Sequence, residues 1–221
     1  APTAAPRPGG SYTAARLTTA PTLDGVWDEW TTTKFPITAV VWNRTNTSWE
    51  GSADLEGSFR IGYDTQNLYI AVKVLDDQYS QNASGENLFK GDSVELVLDT
   101  DLNGDYGNKS LTNDDYQLGI SPGKPTTSGT REAYLWFPSG VAGARTQVTV
   151  GSTSTDGVWR LEAAIPWSVL GVTPTRGMKF GFALSISDCD DEDGASQDSM
   201  VSTAPGRVLA NPTTWGTLTL E

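Results

Sequence analysis

The 221-residue sequence contains no histidine, one cysteine and two methionines. Without histidine there is no Ser-His-Asp triad, no His-ligated zinc and no N-terminal histidine to hold the copper of a polysaccharide oxygenase. The same absence removes a Met/His haem site, although Met178 and Met200 are present. The lone thiol, Cys189, rules out a disulfide within the chain, which leaves the core and bound metal to hold the fold. No apolar run approaches the ~20 residues of a membrane span. Basic residues are also scarce: 15 Lys and Arg face 27 Asp and Glu, a formal net charge of -12. That balance would repel a nucleic acid. What remains is carboxylate chemistry or non-covalent binding. A chain rich in Thr, Ser, Gly, Asp and Asn and poor in Lys has the composition of many secreted bacterial or fungal proteins. The expected location is therefore secreted, extracellular or at the cell surface.

Period-2 patterning dominates from residue 58 onward. Phe59, Ile61 and Tyr63 alternate in "SFRIGYD", and Leu68, Ile70, Val72 and Val74 in "NLYIAVKVLDD". The "DTQN" between them supplies hairpin-turn chemistry. "GDSVELVLDT" places Val94, Leu96 and Leu98 on one face and Glu95 and Asp99 on the other. "YQLGIS", "EAYLWF", "TQVTV", "GVWRLEAAIP", "KFGFALSIS" and "WGTLTL" predict further strands. Helix is limited to a turn at "GVWDEW" and another at "PWSVLG". Short strands separated by Gly, Asn and Asp turns predict an all-β fold, a two-sheet antiparallel β-sandwich of jelly-roll type. "APTAAPRPGG", residues 1–10, reads as a linker or processed terminus, and residues 11–221 as one domain.

Aromatic side chains are the first candidates for binding. Trp30, Trp159, Trp167 and Trp215 fall in motifs that predict core or strand-end packing. "VVWNRTNTSWEGS" instead sets Trp42 and Trp49 in a polar stretch. Either it forms a platform for sugar rings, with Asn43, Arg44 and Asn46 bonding hydroxyls, or it tucks both indoles back onto the sandwich. In "EAYLWFPSG" either Tyr134 and Trp136 or Leu135 and Phe137 must face outward.

Carboxylates are the second. "DTDLNGDYGNKS" has Asp99, Asp101 and Asn103 at alternate positions, followed by Gly104, as in the first half of an EF-hand loop. The twelfth position is Ser110 rather than Glu, and the flanks read as strand, so Asp105 and Asp114 or Asp115 are the further oxygen donors. Structural calcium is expected here as a clasp on a long connection, with a solvated turn as the alternative. The second acidic stretch, "SDCDDEDGASQDS", is less regular, and a solvated loop is expected there, with calcium as the alternative. A glycosidase needs two acids across a cleft, one with a raised pKa, and no pair among Glu95, Glu132 and Glu162 shows tight spacing along a strand. The chain is therefore expected to be no enzyme.

"LDGVWDEW", "FRIGYDTQNLYIAVKVLDD", "GDSVELVLDT", "GVWRLEAAIPWSVLG" and "NPTTWGTLTL", in that order across residues 16 to 220, resemble family 9 carbohydrate-binding modules. The resemblance implies a calcium-bearing β-sandwich, attached to other domains of a cellulose- or xylan-degrading or surface protein. Its partner would be a polysaccharide or oligosaccharide gripped between two tryptophans. The first of those positions falls on Phe89 and the second on Leu209; the acidic residue that bonds hydroxyls falls on Glu95, and a neighbouring arginine on Gly119. The residues expected to bind carbohydrate are thus Phe89, Glu95, Trp42, Trp49, Arg44, Trp136 and Leu209. The rival expectation is a structural or assembly module that keeps the sandwich and has lost the sugar.

Overall fold

The computed structural model describes residues 6–46 and 48–221. Its strands are β1 (Ser11–Arg16), β2 (Phe35–Ile37), β3 (Ala39–Asn43), β4 (Leu55–Tyr63), β5 (Asn67–Asp76), β6 (Ser93–Asp99) and β7 (Asp115–Lys124). They continue as β8 (Thr130–Phe137), β9 (Gly143–Ala144), β10 (Thr149–Thr155), β11 (Val158–Pro166), β12 (Lys179–Asp188), β13 (Ser199–Ser202) and β14 (Gly216–Leu220). One layer runs β10-β11-β5-β4, and the other β14-β12-β6-β7-β8-β9. Together they form a curled, two-layered β fold.

β1 joins the layers. Ser11 to Ala14 pair with β14, and Ala15 and Arg16 pair with β4, both in parallel. This modifies the expected all-antiparallel sandwich at one strand; the other pairings are antiparallel. A strand that leaves one layer and enters the other cannot close a hairpin with both, so its neighbours come from distant sequence. The "GVWDEW" segment makes turns rather than helix, whereas Trp167–Val169 in "PWSVLG" is a short 3-10 helix. Gly85–Lys90, Ser139–Val141 and Pro212–Thr214 are also 3-10 turns. Among the described residues no helix is long and apolar enough to cross a membrane.

The β4–β5 hairpin forms where expected: Asp64 Oδ1 accepts from the backbone N–H of Gln66 and Asn67 at 2.7 and 2.8 Å, an Asx turn. Phe59, Ile61, Ile70 and Val72 from one layer meet Leu96, Phe180, Phe182 and Leu184 from the other in one buried cluster. Each such side chain contributes about 1.5–3 kcal/mol by leaving water. Trp159, Trp167 and Trp215 are buried and so is Trp30, as expected.

β6 carries two opposed programmes. Val94, Leu96 and Leu98 face the core, while Glu95, Val97 and Asp99 face outward. The outer face is still covered: Val97 packs with Ala183, Ala204 and Trp215, which anchors the chain between β13 and β14 over the sheet. Residues 7–9 pack against the domain. Arg7 is buried, donates to Asp99 Oδ2 at 2.9 Å and also to the Pro212 carbonyl, and Gly9 N–H bonds the Trp215 carbonyl. A Cβ on Gly9 would lie 2.4 Å from the Gly216 nitrogen, so only glycine allows this approach. The segment joins the domain because Asp99, buried on the outer face, recruits its cation.

Candidate functional site

A cleft of about 420 Å³ opens on the outer face beside Glu95. One wall is aromatic. Phe89 and Trp136 meet edge to face with centroids 6.0 Å apart, Tyr134 lies 5.9 Å beyond Trp136, and Trp136 Nε1 donates to the Glu86 carbonyl at 2.8 Å. The outward pair on β8 is therefore Tyr134 and Trp136, because Leu135 is fully buried. Across the cleft stands Trp42, 50 % exposed, on the edge strand β3. β3 pairs only with β13, Trp42 lying opposite Met200, and a register shift follows Met200. Leu209, on the anchored β13–β14 connection, completes the rim.

The floor is polar and already ordered. Arg207 Nη2 bonds Glu95 Oε1, and Gln117 Nε2 donates to Glu95 Oε2 at 2.8 Å. Arg207 Nη1 has only the Met200 sulfur, at 3.3 Å, and Nε has no partner. Burial lowers the Arg207 pKa to about 10, which leaves it cationic at neutral pH. The arginine expected on β7 is absent for a visible reason. Gly119 sits opposite Glu95, and a Cβ there would come within 2.2 Å of the Trp136 ring. Glycine makes room for the indole, and the guanidinium arrives from the β13–β14 connection instead. Flat apolar walls over a hydrogen-bonding floor suit a ring with one apolar face and several hydroxyls.

The cleft thus brings together Phe89, Glu95, Trp42, Trp136 and Leu209. It does not include Trp49 or Arg44. Trp49 packs against the main core and donates to the Leu55 carbonyl at 3.0 Å, and Ser48 N–H beside it bonds Asn43 Oδ1 at 3.0 Å. Arg44 turns to Asp198, 2.6 Å away, and to Ser196. Asn43 and Asn46 are likewise not among the lining residues. Residues that sequence reasoning missed are Val41, Gln117, Gln197, Met200 and Arg207. Gln117 was within reach, since period 2 puts it on the face of Gly119. Arg207 carries no local signal; the Trp215 anchor places it.

The first acidic loop converges differently from an EF-hand. Carboxylate oxygens of Asp99, Asp105 and Asp114 lie within 4.8 Å of one another. Asp101 is not among them: its Oδ1 accepts from Gly104 N–H at 3.2 Å, and both Asp101 and Asn103 are exposed. The regular spacing here builds a turn, with Leu102 buried beneath it. Asp115 is buried nearby, Thr112 N–H bonding its Oδ2 at 2.7 Å. Asp105 Oδ1, Asp114 Oδ2 and Asp115 Oδ1 are buried without hydrogen-bond partners among the described residues. Burial raises Asp99 to about 7 despite the opposing Arg7, and neighbouring aspartates push the same way; burial also raises Asp115 to about 6. Orphaned carboxylate oxygens converging from one loop fit a hard cation.

The second acidic stretch is not simply a solvated loop. Asp188 is fully buried and Asp198 nearly so, although Asp190, Asp191, Glu192 and Asp193 are exposed. Strand β12 runs on to Asp188, which carries its carboxylate inside.

The sequence profile described as "Carbohydrate family 9 binding domain-like" matches residues 21–221. Among solved structures, the fold is similar to a family 9 carbohydrate-binding module from Caldicellulosiruptor kristjanssonii in complex with cellotriose. The TM-score is 0.69 at 18% identity, over 96% of this chain and 93% of that one. The glucose complex from the same organism gives 0.69 at 19% identity, over 96% and 95%. A putative carbohydrate-binding protein from Bacteroides uniformis ATCC 8492 gives 0.67 at 17% identity, over 96% and 99%. No curated protein sequence matches the chain.

Proposed function

The chain belongs to the carbohydrate family 9 binding domain-like family, and from that premise we propose that it is a non-catalytic module that binds a polysaccharide or oligosaccharide in the outer-face cleft. The carrying observation is the convergence of Trp42, Phe89 and Trp136 around the Arg207–Glu95–Gln117 network. The aromatic faces would take the C–H faces of sugar rings, and the network and Gln197 would bond hydroxyls. Glu95 is the sole carboxylate among the described lining residues and is already doubly bonded, whereas glycoside hydrolysis needs two carboxylates. Cellotriose and glucose in the similar structures make β-linked glucans the first probes.

The same reading gives calcium to Asp99, Asp105 and Asp114, with Asp115 beside them, as a fastening for the β6–β7 connection. That ion would supply positive charge to carboxylates that otherwise repel one another. The setting would be extracellular, within a larger polysaccharide-active or surface protein.

The test is isothermal titration with cellotriose and affinity electrophoresis through soluble cellulose derivatives, xylan, mannan and β-glucan. Retention on at least one glycan is expected, and Trp136→Ala, folded by circular dichroism, removes it. If no glycan retards the wild-type chain, the assembly-module reading replaces this one; Leu209 and Phe89, in place of paired tryptophans, are what favour it.

A further inference from the structure

Arg207 and Leu209 stand at the cleft although no strand carries them. Both belong to residues 203–215, the connection from β13 to β14. Within it Arg207 N–H donates to the Ala204 carbonyl at 3.0 Å, Asn211 N–H to the Val208 carbonyl at 3.0 Å and Val208 N–H to Thr214 Oγ1 at 2.9 Å. Such short-range bonds shape turns; they do not fix where the connection lies on the sheet. Its two ends do, and one segment, residues 7–12, grips both.

Tyr12 grips the entrance: its hydroxyl donates to the Thr203 carbonyl at 2.9 Å. Phe35, Phe59 and Phe182 hold the Tyr12 ring in turn, with centroids 5.2, 5.6 and 5.4 Å away. Arg7 grips the exit. Its Nη1 donates to the Pro212 carbonyl while Nη2 reaches Asp99 Oδ2 at 2.9 Å, so one guanidinium ties the connection to the end of β6. Gly9 N–H donates to the Trp215 carbonyl at 3.3 Å, and the Gly10 carbonyl accepts from Thr217 N–H at 2.9 Å. Gly9 touches both ends at once: a Cβ there would lie 2.6 Å from the Trp215 carbonyl carbon and 2.8 Å from the Ala204 Cβ. A planar guanidinium with donors in fixed directions and a phenol locked among three rings are rigid holds.

We propose that Arg7, Gly9 and Tyr12 are positioning residues for the cleft. The strap they form keeps Arg207 on Glu95 and Leu209 at the rim, and so sets glycan affinity, although none of the three is among the described lining residues. Arg207 depends on the strap most, because it reaches Glu95 across 112 positions and its Nε has no hydrogen-bond partner among the described residues. A binding group left about 1 Å too loose loses its contacts with ligand. The effect on affinity rests on the sugar-binding reading; the hold on the connection does not.

The experiment compares the full chain with Tyr12→Phe, Gly9→Ala and Arg7→Met by hydrogen exchange, read by mass spectrometry, and by affinity electrophoresis through the glycans named above. Tyr12→Phe is the mild variant, since it keeps the ring and deletes one hydrogen bond. Amides of residues 203–215 should exchange about three- to tenfold faster, with the β10–β11 hairpin unchanged. Glycan affinity should fall about threefold in Tyr12→Phe and further in Arg7→Met. The loss should largely vanish in an Arg207→Lys background and persist in a Trp42→Ala background, because Trp42 stands on β3. Unchanged exchange at 203–215 in all three variants overturns the strap, and so does exchange that quickens equally throughout the chain. Quicker local exchange with unchanged affinity, or full additivity with Arg207→Lys, overturns the positioning role. A wild-type chain that no glycan retards defeats the carbohydrate reading and this role with it, while the exchange result still decides the hold.

Discussion

The cleft takes Val41 and Trp42 from β3 and Met200 from β13, and an acidic basin of about 500 Å³ takes Arg44 and Asp198 from just outside the same strands, yet the two present opposite chemistry. Gln197, Met200 and Trp42 face the cleft; Asp198 and Arg44 face the basin. In the cleft each carboxylate oxygen of Glu95 has a donor, so the floor offers balanced hydrogen bonding beneath aromatic walls. In the basin Glu50, Asp54, Asp77, Asp190, Asp191 and Asp198 stand against Arg44 among the described lining residues. A satisfied polar floor selects neutral hydroxyls; an unsatisfied anionic one selects a cation.

The largest effect that would break this comparison is expected at Glu95. Glu95→Ala leaves the Arg207 charge buried alone and should cost about 3–5 kcal/mol in urea unfolding. A loss below about 1 kcal/mol would mean that the pair does not hold the cleft together. Next come the two tryptophans of one stretch. Trp49→Ala should cost about 3 kcal/mol of stability with glycan affinity unchanged. Trp42→Ala should leave the melting temperature in place and weaken binding by about 2 kcal/mol, roughly 30-fold. Reversed roles would show that the platform lies in the 43–49 turn.

Stripping calcium should then expose a pH slope. In folded protein Asp76 is raised to about 6, Asp99 to about 7 and Asp188 to about 8, burial being the main cause in each. Carboxyls with raised folded pKa values stabilise the fold while protonated. Stability of the stripped chain should therefore fall as pH rises from about 4 toward 8. Saturating calcium should flatten or reverse that slope, because it favours the ionised forms. A stripped chain equally stable at pH 5 and pH 8 would show that these three carboxyls do not titrate as buried groups. The smallest effect concerns coupling, and it rests on the sugar-binding reading. Asp190→Asn should weaken glycan retention a few-fold through the loop that bears Gln197, whereas Asp105→Asn should not.

Strands were legible wherever apolar residues alternate over several positions, as in β4, β5, β6 and β11. The short strands β2, β3 and β13 were not, because their own patterns are brief and β3 finds its partner β13 far along the chain. Phe89, Glu95 and Leu209 came from the family resemblance, whereas Trp42 and Trp136 could be named because an aromatic in a polar stretch or on an alternating strand stands out locally. Trp42 and Trp49 looked alike for the same reason: composition records how polar a stretch is, not which way its turn folds. Asp101 and Asn103 looked like ligands because alternation along a loop resembles convergence, but the Asp101 carboxylate bonds Gly104 N–H instead.

By itself the sequence determined the class of chemistry. The absence of histidine removed triads and His-ligated metals, the negative charge disfavoured nucleic acid, and alternation along the chain dictated an all-β fold. These are properties of residues and near neighbours, and they survive any arrangement of the strands. Tertiary structure decided which groups meet. Arg207 reaches Glu95 and Asp54 joins Asp188, each pair far apart in sequence, while Trp136 fills the space that Gly119 leaves on the neighbouring strand. Such meetings depend on register and on the anchored β13–β14 connection, and no local pattern encodes a distance between residues a hundred positions apart.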